Sequence, residues 1–391
     1  MAIDDHRGNL GVLLAASLVS MVLGSIHAFS VFIAPLEAQF SAPRATVSLT
    51  YSLALVSLTG AVLLGPRMFG KGSAGAIMML ACAAAAVGAV VAGMAGSLGM
   101  VWLGYSLIFG AANGLGYGFG LQIAAQAMPG REGLAMGIVT AAYALGSVIA
   151  PSVFTGVLAA GGFGAAMFVL AGVLLVMGAV SAGLMARAGA RFHAPGPAEM
   201  TRPVPGRHQV LLWLGYFGGV TAGLMVIGHA AGIGEIATPA LVGWHAVMII
   251  AASNLFGSLL GGRAVDRLSP ERVLAGLALA TAGALAWLAL AAAGGVVAAL
   301  LGVIGFAYGG TIAAYPAAIA KLVGMDRSAV IYGRVFTAWG AAGLIGPWSA
   351  GLFFDWSGGY RLAMLTASVM GLVSALAIAV LFRDLRKAQA R

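Results

Sequence analysis

Charge is scarce in this sequence. Asp, Glu, Lys and Arg make up 8% of its 391 residues, whereas 61% of the residues are hydrophobic. Soluble domains carry about 25% charged residues, so a soluble chain of this size could not cover its surface with so few. Apolar runs recur along the whole chain, and runs of about 20 residues are long enough to cross a bilayer. The composition therefore predicts a polytopic membrane protein.

Other features are also missing. Cys82 is the single cysteine, so no intrachain disulfide can form. The alternating strand patterns of a membrane β-barrel are absent, as are HExxH and CxxC sequences, and we expect neither a metal nor a cofactor. The stretch from Gly65 to Gly72 nearly spells a phosphate-binding loop, but it ends in Gly rather than Ser or Thr and follows an apolar span. No local pairing of a nucleophile with a base indicates an enzyme.

Apolar runs bounded by Gly, Pro and charge predict twelve membrane-spanning helices. The predicted spans are 10–35, 46–65, 74–95, 99–127, 133–159, 163–186, 209–233, 240–262, 272–293, 296–320, 329–354 and 360–382. The polar interval between the sixth and seventh spans contains four prolines, which block a continuous helix. We therefore expect an all-α membrane protein with an N-terminal six-helix bundle (1–186), a linker (187–208) and a C-terminal six-helix bundle (209–391).

The two halves resemble each other in sequence. The segments 131–151 and 327–347 share six identities at an offset of 196, among them Gly137 with Gly333 and Pro151 with Pro347. At the same alignment Tyr143 faces Trp339. The segment 60–65 matches 257–262 at an offset of 197. Two matches at nearly one period indicate pseudo-symmetric bundles.

Basic residues are distributed unevenly between the predicted loops. With an even number of spans both termini lie on one side, and that side carries seventeen Lys and Arg residues against two on the other. The positive-inside rule then places both termini and the linker in the cytoplasm, with the chain in the cytoplasmic (inner) membrane. Because the net charge of +9 is spread over short loops, it sets orientation and does not indicate nucleic-acid binding.

The loop Gly262–Arg272 (GRAVDRLSPER) resembles the G-x-x-x-D-R loop of the major facilitator superfamily. Five segments resemble the oxalate/formate antiporter group and its monocarboxylate-transporter relatives: 29–52, 115–120, 223–231, 254–267 and 332–347. The resemblance covers nearly the whole chain. It implies a secondary transporter whose partners are the bilayer and a small solute, bound in a cavity lined mainly by spans 1, 2, 4, 5, 7, 8, 10 and 11.

Several polar and aromatic side chains lie near the middle of these spans, where repeat-built transporters bind their solutes. Asn113 and Tyr308 form one near-symmetric pair, and Tyr143 and Trp339 form another. The wider set of candidate binding residues adds Asn254, Gln122, Tyr315 and Ser258. A polar group facing lipid would be left without a partner, so we expect these side chains to face the interior. There they could bind a solute or simply form hydrogen bonds between helices.

Two further groups of residues have expected roles in coupling and gating. His27 and His229 lie in the first span of each half and are candidates to carry a coupling proton, although structural hydrogen bonding would explain them equally well. The resemblance implies a cytoplasmic latch in which Asp266 accepts hydrogen bonds from a helix N-terminus and arginines pair across a bundle. The candidate gating residues are Asp266, Arg267, Arg263, Arg131 and Arg327.

The sequence departs from the oxalate/formate pattern at two cations. Ser258 stands where that pattern has an Arg, and Trp339 stands where it has a Lys. Because a buried dianion needs paired positive charge, we expect a neutral or singly charged organic solute. The alternatives are a carrier for a flavin-type or vitamin-type heterocycle and, from other classes, an intramembrane enzyme or a non-transporting receptor. Arg334 is the one Lys or Arg residue that lies away from the ends of a predicted span.

The orientation can be tested by cysteine labelling. In a Cys82-free background, cysteines placed at Ala198 and at Ser97 should react with impermeant reagents from opposite sides, since the first lies in the cytoplasmic linker and the second in an outer loop. The measurement is labelling in intact cells and in inverted vesicles. Labelling of both positions from the same side would overturn the predicted topology.

Overall fold

The computed structural model describes residues 2–128, 132–192, 206–237, 243–290, 295–323 and 325–389. All regular elements in these ranges are helical. The chain divides into two compact units, Met1–Pro195 and Gly196–Arg391. The predicted bundle boundaries and linker stay predictions, because residues 193–205 of the linker lie outside the described part.

The first unit contains eight α-helices and two helical stretches of other geometry. A 3₁₀ stretch, Gly24–Phe32, follows the first helix, and a π-helical stretch, Trp102–Phe109, follows the sixth. The α-helices are α1 (Ala2–Leu23), α2 (Ile33–Phe40), α3 (Arg44–Leu64), α4 (Pro66–Phe69), α5 (Ala74–Gly93), α6 (Leu98–Val101), α7 (Gly110–Ala127) and α8 (Glu132–Arg187). Both α1 and α5 pack against α8.

The second unit contains seven α-helices. They are α9 (Gly206–Ile227), α10 (Ala230–Ala237), α11 (Gly243–Arg267), α12 (Pro270–Leu290), α13 (Gly295–Val323), α14 (Met325–Ser357) and α15 (Arg361–Gln389). The helix α11 packs against α13, and α9 packs against both α14 and α15.

Ten stretches in the described ranges are long and apolar enough to cross a membrane. One of them, Gly137–Arg187, is a single stretch that covers both the fifth and the sixth predicted span. The helix α8 breaks at Gly162, where φ is +73°, and this break separates the two spans. Glycine adopts this left-handed conformation without a Cβ clash. The eleventh predicted span lies within α14, so the helices are consistent with twelve spans.

The sequence did not predict three of the irregular stretches. The first span is one run in sequence but contains the 3₁₀ segment, and it ends at Ser41 in the left-handed region with φ of 49°. The fourth span contains the π-helix. The seventh span is interrupted between α9 and α10, where His229 lies. Hydropathy does not distinguish these geometries, because 3₁₀, π and α helices all form their backbone hydrogen bonds within one segment.

Glycines make equivalent helix contacts in the two units. A Cβ added at Gly114 of α7 would lie 2.1 Å from the carbonyl oxygen of Leu58 on α3, and one added at Gly309 of α13 would lie 2.2 Å from that of Asn254 on α11. Gly110 and Gly305 repeat the pattern one turn earlier on the same two helices. The contacts relate the units by an offset of 195 to 196, one or two residues short of the 197 suggested by segments 60–65 and 257–262.

These contacts predict a position-specific effect of adding a methyl group. Gly114→Ala should lower the melting temperature of the purified protein, because overpacking a close contact costs about 1–3 kcal/mol. Gly60→Ala is the matched control, since a Cβ there meets nothing within 4 Å. Differential scanning fluorimetry in detergent measures both. Equal melting temperatures for the two variants would contradict the close approach of α3 and α7.

Candidate functional site

Asn113 and Tyr143, the two central candidates of the first unit, are in contact. Asn113 lies on α7 with no exposed surface, and its Nδ2 donates to the carbonyl oxygen of Leu23 at 2.7 Å. Its Oδ1 accepts from the hydroxyl of Tyr143 on α8 at 3.1 Å. One amide thus joins the end of α1 to α7 and α8. Both partners lie inside the unit, so in this structure Asn113 links neighbouring helices of the unit by hydrogen bonds.

A histidine and two further tyrosines surround Tyr143. The ring of His27, in the 3₁₀ stretch, stands edge-on to Tyr143 with centroids 5.6 Å apart, and its Nδ1 lies 2.6 Å from the hydroxyl oxygen of Tyr51. The ring of Tyr117 lies 4.8 Å from that of Tyr143. Sequence reasoning missed Tyr51 and Tyr117. Tyr117 could have been found, because it follows Asn113 by four residues and so shares its helix face.

Tyr308 and Trp339, the central candidates of the second unit, are also in contact. The indole Nε1 of Trp339 on α14 donates to the hydroxyl of Tyr308 on α13 at 3.1 Å, and the two side chains are only 6% and 4% exposed. One face of the indole stacks on Phe336, with centroids 5.6 Å apart and planes 6° from parallel. A Cβ at Gly223 of α9 would lie 2.3 Å from the ring of Tyr308, so glycine permits the close approach of α9.

Asn254 and Ser258 lie one turn apart on α11 and contact each other. The hydroxyl of Ser258 has two acceptors within reach, Oδ1 of Asn254 at 3.2 Å and the carbonyl oxygen of Gly309 at 3.3 Å. Both side chains are half-buried. Ser258, at the position where the resembled group has an arginine, is therefore a neutral donor that is already engaged.

The remaining predicted binding residues fall into different environments. Tyr315 is buried on α13, with its ring centroid 4.4 Å from that of Tyr216, and its hydroxyl has no hydrogen-bond partner among the described residues. That oxygen would lie 2.6 Å from a Cβ added at Gly215. Gln122 is exposed on α7. The structure therefore does not bring Gln122 into the Asn113–Tyr143 cluster.

His229 is held on both ring nitrogens. Its Nε2 lies 2.8 Å from the carbonyl oxygen of Pro347, and its Nδ1 lies 3.2 Å from the hydroxyl of Tyr360. A carbonyl only accepts, so Nε2 carries the proton and Nδ1 accepts from the tyrosine in the neutral ring. His229 has no exposed surface. These contacts tie the break between α9 and α10 to α14 and to the start of α15.

The predicted latch is only partly visible. Arg131 and the side chains of Asp266 and Arg327 lie outside the described part of the chain, while Arg263 and Arg267 are exposed. Nζ of Lys321, near the end of α13, donates to the carbonyl oxygen of Val265 at 2.5 Å. A cation at this place stabilises the C-terminal end of α11, where carbonyls lack helical partners. The role of the loop in gating remains a prediction.

The two clusters contain groups that form hydrogen bonds and ring contacts. They offer amide, phenol, indole and imidazole groups that donate and accept hydrogen bonds and present ring faces. Among the described residues, no group of three or more His, Cys, Asp or Glu side chains is placed to hold a metal ion. Asn113–Tyr143 and Tyr308–Trp339 join equivalent helices in their units at the same distance, as the near-symmetry predicts.

Comparisons with known proteins identify the class of protein. Residues 210–391 match the family model of the Major Facilitator Superfamily. The chain is 23% identical over 337 residues to the uncharacterized MFS-type transporter YhjX of Escherichia coli, covering 84% of each protein. It is also 23% identical over 393 residues to the oxalate:formate antiporter of Oxalobacter formigenes, covering 96% of this chain and 93% of the relative.

Solved structures agree with this fold. A bacterial homolog of the human lysosomal transporter Spinster matches with a TM-score of 0.71 at 16% identity, covering 95% of this chain and 96% of that one. The xylose transporter XylE of Escherichia coli matches with a TM-score of 0.68 at 15% identity, covering 94% and 98%. The predicted resemblance to the major facilitator superfamily is confirmed by the family model over residues 210–391, and the chain has the major facilitator fold. All of these relatives and structural neighbours are named as transporters or antiporters.

The contacts of His229 predict a structural role. His229→Phe keeps a ring but takes a partner from the Tyr360 hydroxyl and from the Pro347 carbonyl, and a buried polar group left unsatisfied costs about 1–3 kcal/mol. The melting temperature should therefore fall clearly. Tyr360→Phe removes only one of the two bonds and should lower it less. An unchanged melting temperature in His229→Phe, together with loss of proton-driven uptake, would instead assign the coupling role to His229.

Proposed function

We propose that this protein is a secondary transporter that moves a neutral or singly charged small organic solute by alternating access of its two units. The superfamily supports solute transport, and the observation that supports the limit on charge is the Trp339–Tyr308 pair. The indole stands where the resembled group has a lysine, and its N–H is already engaged by a buried hydroxyl. A neutral donor at this depth cannot compensate a buried carboxylate.

The environment of Ser258 supports the same conclusion. Its hydroxyl lies within reach of Asn254 and Gly309, so the second cation position of the resembled group is also neutral. A dianion such as oxalate would need both charges compensated, because desolvating an unpaired charge costs several kcal/mol. Two neutral positions favour a solute with one charge or none.

The two histidines differ in ways that favour His27 as the proton carrier. His229 engages both ring nitrogens inside its unit. His27 is half-buried, and its hydrogen bond to the Tyr51 hydroxyl uses only Nδ1. A half-buried imidazole can gain and lose a proton. Because the His27 ring stands edge-on to Tyr143, a change in its charge would act directly on that side chain. We therefore propose that any proton coupling runs through His27.

Aromatic side chains near the middle of the spans also suit a flat heterocycle. Trp339 already stacks on Phe336, and a planar solute that reached these rings would extend the stack, a contact worth about 0.5–1.5 kcal/mol beyond burial. A flavin-type solute therefore stays beside small monocarboxylates as a candidate.

Uptake into proteoliposomes tests the proposal. The wild type should show saturable uptake of riboflavin or of lactate and no oxalate exchange. Trp339→Ala should lower uptake of the preferred solute by about 10-fold or more, because it removes the indole and the hydrogen bond to Tyr308, a loss on the order of 1.4 kcal/mol or more. The matched control is Trp356→Ala, since Trp356 is 69% exposed at the end of α14.

Each result of the uptake experiment decides a different part of the proposal. Saturable oxalate exchange by the wild type would contradict the limit on charge. Equal uptake by Trp339→Ala and Trp356→Ala would remove Trp339 from the solute path. If no organic solute on a broad panel is accumulated, transport itself is contradicted.

A further inference from the structure

Arg334 is a basic side chain inside α14. It lies five residues from Trp339, about 7 Å along the helix axis, and it is exposed. Its Nη1 donates to Oε1 of Gln209 on α9 at 3.2 Å. The ion pairs in the described part of the chain join Arg44 to Glu37, Arg207 to Asp384 and Arg386 to Glu271. Among the described residues, no carboxylate therefore neutralises Arg334.

A second cross-helix bond lies next to the first. Nε1 of Trp213 on α9 donates to the hydroxyl oxygen of Thr337 on α14 at 3.0 Å, and that hydroxyl donates to the backbone carbonyl of Arg334 at 2.7 Å. Trp213 follows Gln209 by four residues, so the two share a face of α9. The guanidinium, the amide, the indole and the hydroxyl thus form one polar row across α9 and α14.

Aromatic rings continue the row. Trp213 stacks on Phe217 with centroids 5.1 Å apart and planes 9° from parallel. On α14 Phe336 stacks on Trp339 in the same near-parallel manner. Trp213, Phe217 and Phe336 are half-buried, and Thr337 is exposed. The surface therefore combines one positive charge with flat apolar rings, and all of its residues lie in the second unit.

We propose that this surface binds the carboxylate of a planar organic monoanion, with the charge on Arg334 and the ring system on Trp213 and Phe217. The inference rests on the proposed transport function and narrows its solute class to singly charged aromatic acids. A guanidinium pairs with a carboxylate through two parallel hydrogen bonds, and Gln209 engages only one of its nitrogens. A dianion would bring a second charge to a surface whose other polar groups are neutral.

The same guanidinium could instead hold a lipid phosphate, because long basic side chains reach toward the interface. The two sources share an anionic oxygen pair but differ in the apolar part, which is flat for an aromatic acid. The stacked rings beside Arg334 favour the aromatic acid. The experiment below separates the two.

The test uses benzoate as the monoanion, benzamide as its neutral analogue and phthalate as the dianion. Binding of radiolabelled probe to the purified full-length protein in phosphatidylcholine nanodiscs gives the affinities. Wild type should bind benzoate saturably and more tightly than benzamide or phthalate. Arg334→Gln should weaken benzoate about 10- to 100-fold, the loss expected for a charge-assisted hydrogen-bonded pair, and leave benzamide unchanged. Arg334→Lys should retain part of the affinity.

Controls distinguish a site from a general charge effect. Arg383→Gln removes an equal charge from an exposed position on α15 and should not change benzoate binding. Trp213→Leu should weaken benzoate but not acetate, because only benzoate has a ring to stack. Melting temperatures confirm that each variant is folded.

Several outcomes would overturn the inference. They are absence of saturable benzoate binding by the wild type, equal loss in Arg334→Gln and Arg383→Gln, or phthalate binding tighter than benzoate. Unchanged benzoate binding in Arg334→Gln, with loss of the stabilisation that phosphatidylglycerol gives, would assign Arg334 to a lipid phosphate. The binding assay does not depend on transport, so this inference and the proposed transport function can fail separately. If the protein takes up only neutral solutes, the aromatic-acid site is refuted and the transport function still stands.

Discussion

A buried polar group that lacks a hydrogen-bond partner is costly in a membrane protein, and much of the architecture of this protein follows from that constraint. In a bilayer each unsatisfied group costs several kcal/mol. Helices satisfy their own backbone, so the difficulty concentrates on the side chains of the few polar residues. Asn113 illustrates the solution, since one fully buried amide donates to the chain end of α1 and accepts from Tyr143. His229 does the same between the α9–α10 break, α14 and α15.

Small residues provide the close approach that these bonds require. Without a hydrophobic driving force between helices in lipid, packing contacts and interhelical hydrogen bonds hold a bundle together. Gly114 lets α7 touch the backbone of α3, and Gly223 lets α9 meet the ring of Tyr308. The Asn113–Tyr143 and Tyr308–Trp339 bonds lie beside such contacts. The glycines therefore bring the helices close enough for the few polar side chains to form hydrogen bonds between them.

Our proposal for the solute depends on which polar groups are already hydrogen-bonded inside a unit and which are not. The central pairs are largely engaged with each other, so their contribution to a solute site is one of shape, ring faces and neutral hydrogen bonding. Arg334 differs, because it retains an exposed charge beside stacked rings. This separation between neutral deep groups and one exposed cation is the basis of our proposal that the solute carries at most one negative charge.

Hydropathy and the internal repeat were enough to predict the helical class and the two related halves, because lipid imposes length and composition directly on each span. The superfamily was predicted from the resemblance of the loop Gly262–Arg272 and of further segments to that family. The repeat also paired Asn113 with Tyr308 and Tyr143 with Trp339, and each unit bonds its members across neighbouring helices. Sequence could not decide the 3₁₀ and π stretches or the turn at His229, since these leave hydropathy unchanged. Nor could it show that Gln209 meets Arg334 or that Tyr51 meets His27. Those contacts join residues far apart in sequence, and only the packing of helices in three dimensions brings them together.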